Sequence, residues 1–206
     1  MRKTKKVKLK AKKRFYDLLL GFFSFTCLIL MILVVSREIE SLQAYNVAKN
    51  ALVTFEELTN VESSETPAEV TEVKMGKYKI IGSIKIASID LEYPILEKTN
   101  QEALKLSVTK LSGPPLNELG NVSIAGHSTR NGTLFGKLPS VNLGDIIEIT
   151  DSKGRTLKYQ VHSIYSVLPT DLEPLKTTDE NIREITLVSC IKKATKRIIV
   201  KAKEIK

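Results

Sequence analysis

An uncharged apolar run near the N-terminus constrains this chain most, because it separates a basic tail from every residue that can contribute to a water-soluble domain. The run covers residues 18–35 and has the sequence LLLGFFSFTCLILMILVV. As a helix that rises 1.5 Å per residue, it extends about 27 Å, which is close to the hydrocarbon thickness of a bilayer. The sequence therefore predicts a transmembrane helix at 18–35, and a globular domain must lie after it.

Positive charge is concentrated before this run. Residues 1–17 contain nine Lys or Arg and one acid, Asp17, and so carry +8 of the formal net charge of +9. Basic residues beside a span hold that end in the cytoplasm. We therefore expect a basic cytoplasmic tail at 1–17 and a single-pass protein of the cell membrane whose remaining residues are extracellular.

Two alternatives compete with an uncleaved anchor. A nucleic-acid-binding arm is the weaker one, because the basic tail directly precedes an apolar span. A cleaved signal peptide is the stronger one, since such peptides also combine a basic start with an apolar core. Its apolar core would be unusually long, however, and residues 36–40 (SREIE) offer no small-residue cleavage site.

Residues 36–76 are predicted to form a stalk and a linker. Apolar side chains, among them Leu52 and Phe55, recur at helical spacing from 36 to 58, which predicts a helix that continues from the anchor. Residues 59–76 are rich in Glu, Ser and Thr and contain Pro67, a composition typical of a flexible linker. We therefore expect the folded domain to begin at residue 77.

Residues 77–206 show the pattern of a mainly β domain. Apolar and polar residues alternate from Leu157 to Ile164, and turn sequences such as 151–154 (DSKG) separate the apolar runs. Many short strands at this spacing are typical of a closed barrel or a sandwich. The candidate strands are 79–86, 88–95, 121–125, 145–150, 156–167, 184–190 and 197–203, with a short helix at 100–106 and a turn near 178–183.

The exported part of the chain carries one unpaired thiol. Of the two cysteines, Cys27 lies in the predicted span, so Cys190 has no disulfide partner in the domain. A free cysteine is either a buried small hydrophobe or a nucleophile. As a nucleophile it needs a proton acceptor, which His127 can supply, and acyl transfer needs a donor to the oxyanion, which the forked guanidinium of Arg197 can supply.

The predicted strands are compatible with a site built from these three residues. If 184–190 and 197–203 are antiparallel neighbours, Cys190 and Arg197 lie at one end of the sheet, within about 10 Å of each other. His127 begins the loop after another strand, where a polar side chain can face a groove. From residue types alone, a structural cysteine and a catalytic one both stay open.

Two motifs resemble those of the sortase family. Residues 187–190 (LVSC) followed by Arg197 are similar to the TLxTC…R signature of sortases. Residues 121–127 (NVSIAGH), with 134–138 (LFGKL) after them, resemble the histidine motif of the family. The resemblance covers about residues 80–205, and it implies an eight-stranded sortase-type β-barrel with short helices, preceded by a transmembrane helix and a helical stalk.

The resemblance also implies an activity and roles for residues. Sortases are cysteine transpeptidases (thiol proteases in the wider sense) of Gram-positive bacteria that cleave an LPxTG-like C-terminal sorting signal and attach surface proteins to the cell wall. By this resemblance Cys190 is the nucleophile, His127 transfers protons and Arg197 contacts substrate and oxyanion. Ala125 and Ser189 would bind substrate, Ser189 standing where the family usually has Thr.

The resemblance implies partners as well. They are proteins with an LPxTG-like sorting signal, an amine acceptor such as a peptidoglycan precursor, and the membrane, with no nucleic acid. The loop at about 168–183 would recognise the sorting signal. A hydrolase that merely releases substrates, and a non-catalytic surface protein that has kept the fold, are the alternative functions.

The sortase subtype is narrowed because features typical of two other subtypes are not evident in the sequence. No lid sequence or second span, as in pilin-polymerising sortases, is evident, and the interval 168–184 is too short for the long helical insertion of the haem-related type. We therefore expect a class A-like or class D-like enzyme with a single N-terminal anchor.

Three further polar residues and a second histidine do not suggest another site. Asp145, Glu148 and Asp151 lie in what looks like an ordinary hairpin, so we expect no metal and no cofactor. His162 is out of phase with the apolar face of its predicted strand, so we expect it to be exposed to solvent and not catalytic.

Overall fold

The computed structural model describes residues 2–61, 72–191 and 195–205. The chain forms two compact units, Met1–Gln43 and Ala44–Lys206. Most of the predicted linker at 59–76 falls on residues 62–71, which lie outside the described residues.

The N-terminal unit consists of a helix. Helix α1 (Arg2–Val61) begins in this unit and ends in the second one. Its segment Tyr16–Ser36 is 21 residues long with a mean hydropathy of 2.8, and none of the segment is buried. At 1.5 Å per residue this segment extends about 31 Å, enough by length and composition to cross a bilayer. The helix confirms the predicted apolar helix and its continuation through the stalk.

The second unit is built mainly of strands. They are β1 (Lys74–Met75), β2 (Tyr78–Ile86), β3 (Leu91–Leu96), β4 (Val108–Ser112), β5 (Gly120–Gly126), β6 (Ile146–Asp151), β7 (Thr156–Val167), β8 (Arg183–Ile191) and β9 (Lys196–Ile205). Helix α2 (Gln101–Leu106) and three short 3₁₀ helices (Ala87–Ile89, Phe135–Ser140 and Glu173–Leu175) lie between them.

These strands close into a barrel. Eight of them pair in the order β2-β3-β4-β5-β8-β9-β7-β6, and β6 pairs back onto β2, while β1 forms a hairpin with β2. Closure leaves the eight barrel strands without a free edge at which another chain could pair. The predicted eight-stranded barrel is confirmed.

Three details differ from the prediction. Strand β1 (Lys74–Met75) was not predicted and lies in the part of the chain that was predicted to be a linker. The predicted strand at 88–95 starts later, because residues 87–89 form a 3₁₀ turn that ends at Asp90 with φ 49°. Strand β4 was not predicted: it is five residues long and pairs in parallel with β3 at only two positions, Ile95 with Val108 and Leu96 with Thr109. Such a short segment offers too few alternating positions to be recognised.

The interior of the barrel is filled by the alternate residues of each strand, which point to one face of the sheet. Fully buried members are Ile84, Ile95, Ile124, Ile147, Leu187 and Val200. The same hydrophobic core includes Ala48 and Phe55 from the end of α1, and the ring of Tyr45 lies edge-on to Tyr93 with centroids 6.2 Å apart. The compact unit therefore includes helical residues before the predicted domain start at 77, and that boundary itself stays a prediction.

We predict that the end of α1 stabilises the barrel. In a fragment that begins at Ala44, Phe55→Ala should lower the free energy of unfolding by about 3–5 kcal/mol, because the side chain is 2 % exposed and its removal leaves a cavity. Val53→Ala on the same helix, where the side chain is 46 % exposed, should cost less than about 1 kcal/mol. Urea unfolding followed by circular dichroism measures both, and equal losses for the two variants would contradict the prediction.

Candidate active site

Cys190 and Arg197 face each other across neighbouring strands. Strands β8 and β9 are antiparallel, and Cys190 is the register partner of Arg197. The Arg197 Nη1 donates a hydrogen bond to the Cys190 Sγ at 3.1 Å. A guanidinium that donates to sulfur stabilises negative charge there. The predicted proximity of these two residues is confirmed.

His127 is brought to the same end of the barrel by parallel pairing. Strand β5 runs parallel to β8, and Gly126 is opposite Ser189. His127 directly follows Gly126 at the end of β5, and Cys190 directly follows Ser189 on β8, so the two come next at the same level, where the strands are about 4.8 Å apart. The barrel thus places the three predicted catalytic residues at one end of three consecutive strands.

The predicted substrate-binding residues flank this position. Ala125 is half-buried, pairs with Val188 and lies on the same face of β5 as His127. Ser189 is buried, and its Oγ donates to the Gly126 carbonyl at 2.9 Å. That hydrogen bond ties β8 to β5 immediately before Cys190 and His127. Direct contact of Ala125 or Ser189 with substrate stays a prediction.

The loop after His127 is held by contacts that the sequence did not suggest. The Phe135 N–H donates to the His127 carbonyl at 3.0 Å, and the Leu134 N–H donates to the Tyr93 Oη at 3.0 Å. Leu134 has φ 51°, a conformation that leucine rarely adopts, so its geometry depends on these partners. The motif 134–138 was a signal for this loop, but nothing in the sequence pointed to Tyr93.

Glycine is required immediately before the histidine. A Cβ on Gly126 would lie 2.7 Å from the ring of Phe135, closer than side-chain atoms approach. Because Phe135 is fully buried, its ring cannot move aside without opening the core. The close approach of strand and loop therefore explains the Gly-His pair at 126–127.

The surroundings of His127 favour its neutral form. Burial lowers the pKa of His127 below its ordinary value, and the positive charge of Lys105 on α2 lowers it further. A neutral imidazole at neutral pH can accept a proton from a thiol and return it to an amine.

The second histidine is placed elsewhere. His162 is exposed, as predicted, at a bulge in β7, and its Nε2 lies 2.9 Å from the Glu184 Oε1. Glu184 also accepts from the Lys201 Nζ at 2.6 Å. Glu184 is six residues before Cys190 on β8, which corresponds to about 20 Å along a strand. His162 therefore belongs to an ion-pair cluster with Glu184 and Lys201 that is remote from Cys190.

The carboxylates considered for a metal site have protein partners. Asp145 accepts from the Ser88 Oγ at 2.7 Å, and Asp151 is paired with the Arg155 Nε at 2.9 Å. Among the residues that the structure describes, there is no group of three or more His, Cys, Asp or Glu that could hold a metal ion.

Comparison with known proteins identifies the family of this barrel. The family model of the sortase domain matches residues 84–205. Sortase A of Bacillus anthracis is 31% identical over 136 residues, which cover 65% of this chain and 63% of that relative. The chain thus spans somewhat less than two thirds of that relative's length.

Solved structures give the same result. Sortase A from Corynebacterium diphtheriae is 35% identical with a TM-score of 0.58, covering 63% of this chain and 62% of that one. A sortase D5 transpeptidase of Clostridium perfringens is 28% identical with a TM-score of 0.63, covering 78% of this chain and 99% of that one. Since the sortase-domain match takes in more than half of the sequence and almost all of the barrel, this chain belongs to the sortase family.

Proposed function

We propose that this protein is a membrane-anchored cysteine transpeptidase. The observation that carries the proposal is the hydrogen bond from Arg197 on β9 to the sulfur of Cys190 on β8. Strand β8 lies directly beside β5, which ends at Gly126, immediately before His127. A structural cysteine has no need of a guanidinium at 3.1 Å, whereas a nucleophile gains from one.

The first half-reaction forms a thioester. His127 accepts the thiol proton, and the Cys190 sulfur attacks the carbonyl carbon of the scissile peptide bond. Arg197 donates to the oxyanion that develops on the carbonyl oxygen. When the tetrahedral intermediate collapses, the C–N bond breaks, His127 gives its proton to the leaving amine, and the acyl part stays on the sulfur.

The second half-reaction transfers the acyl group to an amine. The incoming amine attacks the thioester carbonyl while His127 takes its proton, and the sulfur leaves and recovers a proton from the imidazolium. Water in place of the amine would make the same residues a hydrolase. The two activities differ in the acceptor and not in the catalytic groups, so the site is compatible with either acceptor.

We propose an LPxTG-like C-terminal sorting signal as the substrate and a peptidoglycan precursor as the amine acceptor. Support comes from the family, from the similarity to a sortase described as a transpeptidase, and from the exposed apolar side chains of Leu168 and Leu172 on the loop between β7 and β8. A non-catalytic surface protein is disfavoured, because it would not need to keep Cys190, His127 and Arg197 together.

We predict that the three residues act together in cleavage of a fluorogenic LPxTG-type peptide. Cys190→Ala should abolish cleavage, since the thioester needs the sulfur, and His127→Ala should reduce it by at least about 10²–10⁴-fold. Arg197→Lys keeps the charge and loses the fork, so it should lose activity, by up to about 10²–10³-fold, yet retain more than Arg197→Ala.

His162→Ala is the control for this panel, because the second histidine lies in a remote ion-pair cluster and its variant should cleave like the wild type. The assignment of the three catalytic residues would be refuted if Cys190→Ala still cleaved the peptide. It would also be refuted if His162→Ala lost cleavage while His127→Ala retained it.

We also predict that Lys105 affects the titration of His127. Lys105→Gln removes a positive charge that disfavours the imidazolium, so the pKa of His127 should rise and its proton should be lost at higher pH. The chain contains only two histidines, and the His127→Ala variant identifies the ring signals of His127, so NMR titration can follow this residue. A fall or no change in the His127 midpoint would show that Lys105 does not act on it.

Membrane topology provides an independent prediction. With a tail of charge +8 before the apolar helix, the barrel should lie outside the cell. Protease added to intact wall-stripped cells should digest the barrel and spare the basic tail. Release of a soluble product that begins near residues 37–45 during normal growth would instead indicate a cleaved signal peptide.

A further inference from the structure

Asn121, the second residue of β5, is almost fully enclosed, with 1 % of its surface exposed. It lies in phase with Ala125 and His127, so its side chain is on the outer face of the barrel and not among the apolar residues of the interior. A buried amide on that face must find hydrogen-bond partners in something that covers the strand.

The partners of Asn121 lie in the loop between β7 and β8, residues 168–182, which we call the recognition loop. The Asn121 Nδ2 donates to the carbonyl oxygens of Pro174, at 3.1 Å, and Lys176, at 3.0 Å. Its Oδ1 accepts from the Thr186 Oγ1 at 2.8 Å. Both amide protons and the amide oxygen are thus engaged in one network.

Thr186 and the backbone complete the attachment. Thr186 on β8 is fully buried, and its hydroxyl also lies 3.3 Å from the Pro174 carbonyl oxygen. The Asn121 N–H donates to the Thr177 Oγ1 at 3.2 Å, and the Gly120 N–H donates to the Ile182 carbonyl at 2.8 Å. Within the described residues, the hydrogen bonds from the barrel to 173–177 run through Asn121 and Thr186.

The two anchoring residues stand on the strands that carry the reacting groups. Asn121 on β5 precedes His127, the residue that directly follows this strand, by six residues, and Thr186 precedes Cys190 by four residues on β8. A loop fixed to these points keeps a constant position relative to the nucleophile. Misplacement of a substrate by about 1 Å can cost about 10²-fold in rate, so the attachment has a catalytic consequence.

We infer that Asn121 is a positioning residue that sets substrate recognition by tying the recognition loop to the strands of His127 and Cys190. The inference rests on the proposed function, in which this loop binds the sorting signal. Asn121 acts through the loop and does not touch the reacting atoms. Its loss should therefore weaken peptide binding and discrimination and leave the reactivity of the Cys190 sulfur intact.

The chain offers a matched control in Asn117. This residue is also 1 % exposed, its Nδ2 donates to the carbonyl oxygens of Ile149, at 3.0 Å, and Arg155, at 2.7 Å, and its Oδ1 accepts from the Tyr159 hydroxyl at 3.0 Å. The pattern of hydrogen bonds is the same as at Asn121, but the partners belong to β6, β7 and their turn. Replacing either amide by a carboxylate removes two donors and sets a negative oxygen against two carbonyls.

The test compares Asn121→Asp with Asn117→Asp in the full-length protein in detergent, with Thr186→Val as a milder variant that removes the hydroxyl partner of Asn121. Three quantities are measured: kcat and KM with a sorting peptide and with a peptide changed at one motif position, the rate of Cys190 alkylation by iodoacetamide, and amide hydrogen exchange in 168–182.

For Asn121→Asp we expect a fall of about 10- to 100-fold in kcat/KM, mostly through KM, and a smaller ratio between the two peptides. Amide hydrogen exchange in the recognition loop should rise, because the loop loses its attachment to β5. The rate of Cys190 alkylation should stay within about twofold of wild type, because Asn121 positions the loop and does not touch the sulfur. Thr186→Val should change kcat/KM, the ratio between the two peptides and loop exchange in the same directions, but by smaller amounts. Asn117→Asp should lower the thermal midpoint and leave the KM, the peptide ratio and loop exchange unchanged.

The inference is wrong if the exchange of 168–182 does not rise in Asn121→Asp and Thr186→Val, or if Asn117→Asp raises KM as much as Asn121→Asp. It is also wrong if alkylation slows as much as cleavage, which would mean that the nucleophile itself has been disturbed. Absence of cleavage by the wild-type protein would contradict the proposed function instead. In that case, amide hydrogen exchange of 168–182 in Asn121→Asp and Thr186→Val would still show whether Asn121 anchors the loop.

Discussion

The parallel pairing of β5 with β8 is the constraint on which the rest of the site depends. It sets Gly126 beside Ser189 and so fixes the level of His127 and Cys190, and the antiparallel β9 then brings Arg197 to the sulfur. Cys190 and Arg197 are seven residues apart on one hairpin, whereas His127 is more than sixty residues before them in the sequence. A one-residue slip of β8 would turn Cys190 into the barrel interior, so the catalytic arrangement and the core are specified by the same register.

Much of this architecture could be predicted from the sequence, and the failures have physical causes. Alternation predicted the long strands, and two motifs that resemble those of sortases indicated the barrel and the residues of the site. Strand β4 was missed because five residues carry little periodic signal. The stalk was predicted as a helix, but the prediction did not include the packing of Phe55 in the core of the barrel. Helical periodicity identifies the apolar face of a helix and does not identify the element against which that face packs.

The residues missed by sequence reasoning are those that act through hydrogen bonds to backbone. Asn121 opens the histidine motif and Tyr93 lies in an ordinary strand, and both find partners more than forty residues away, at Pro174 and Leu134. Such partners are backbone atoms, which are present at every position, so residue type gives no sign of them. The proposed catalytic residues carry their chemistry in the side chain and were therefore easier to recognise.

The positive φ of Leu134 has a consequence for attempts to engineer this protein. A leucine held at φ 51° has a strained backbone, and glycine adopts this φ without strain. Considered by backbone strain alone, Leu134→Gly would therefore increase the free energy of unfolding. The same change would remove a buried apolar side chain and leave a cavity, and it would loosen the loop between His127 and Phe135. Selecting variants for thermal stability by relaxed backbone geometry alone would therefore disorder the loop that is hydrogen-bonded to His127, so at Leu134 a gain in stability would be set against the proposed activity.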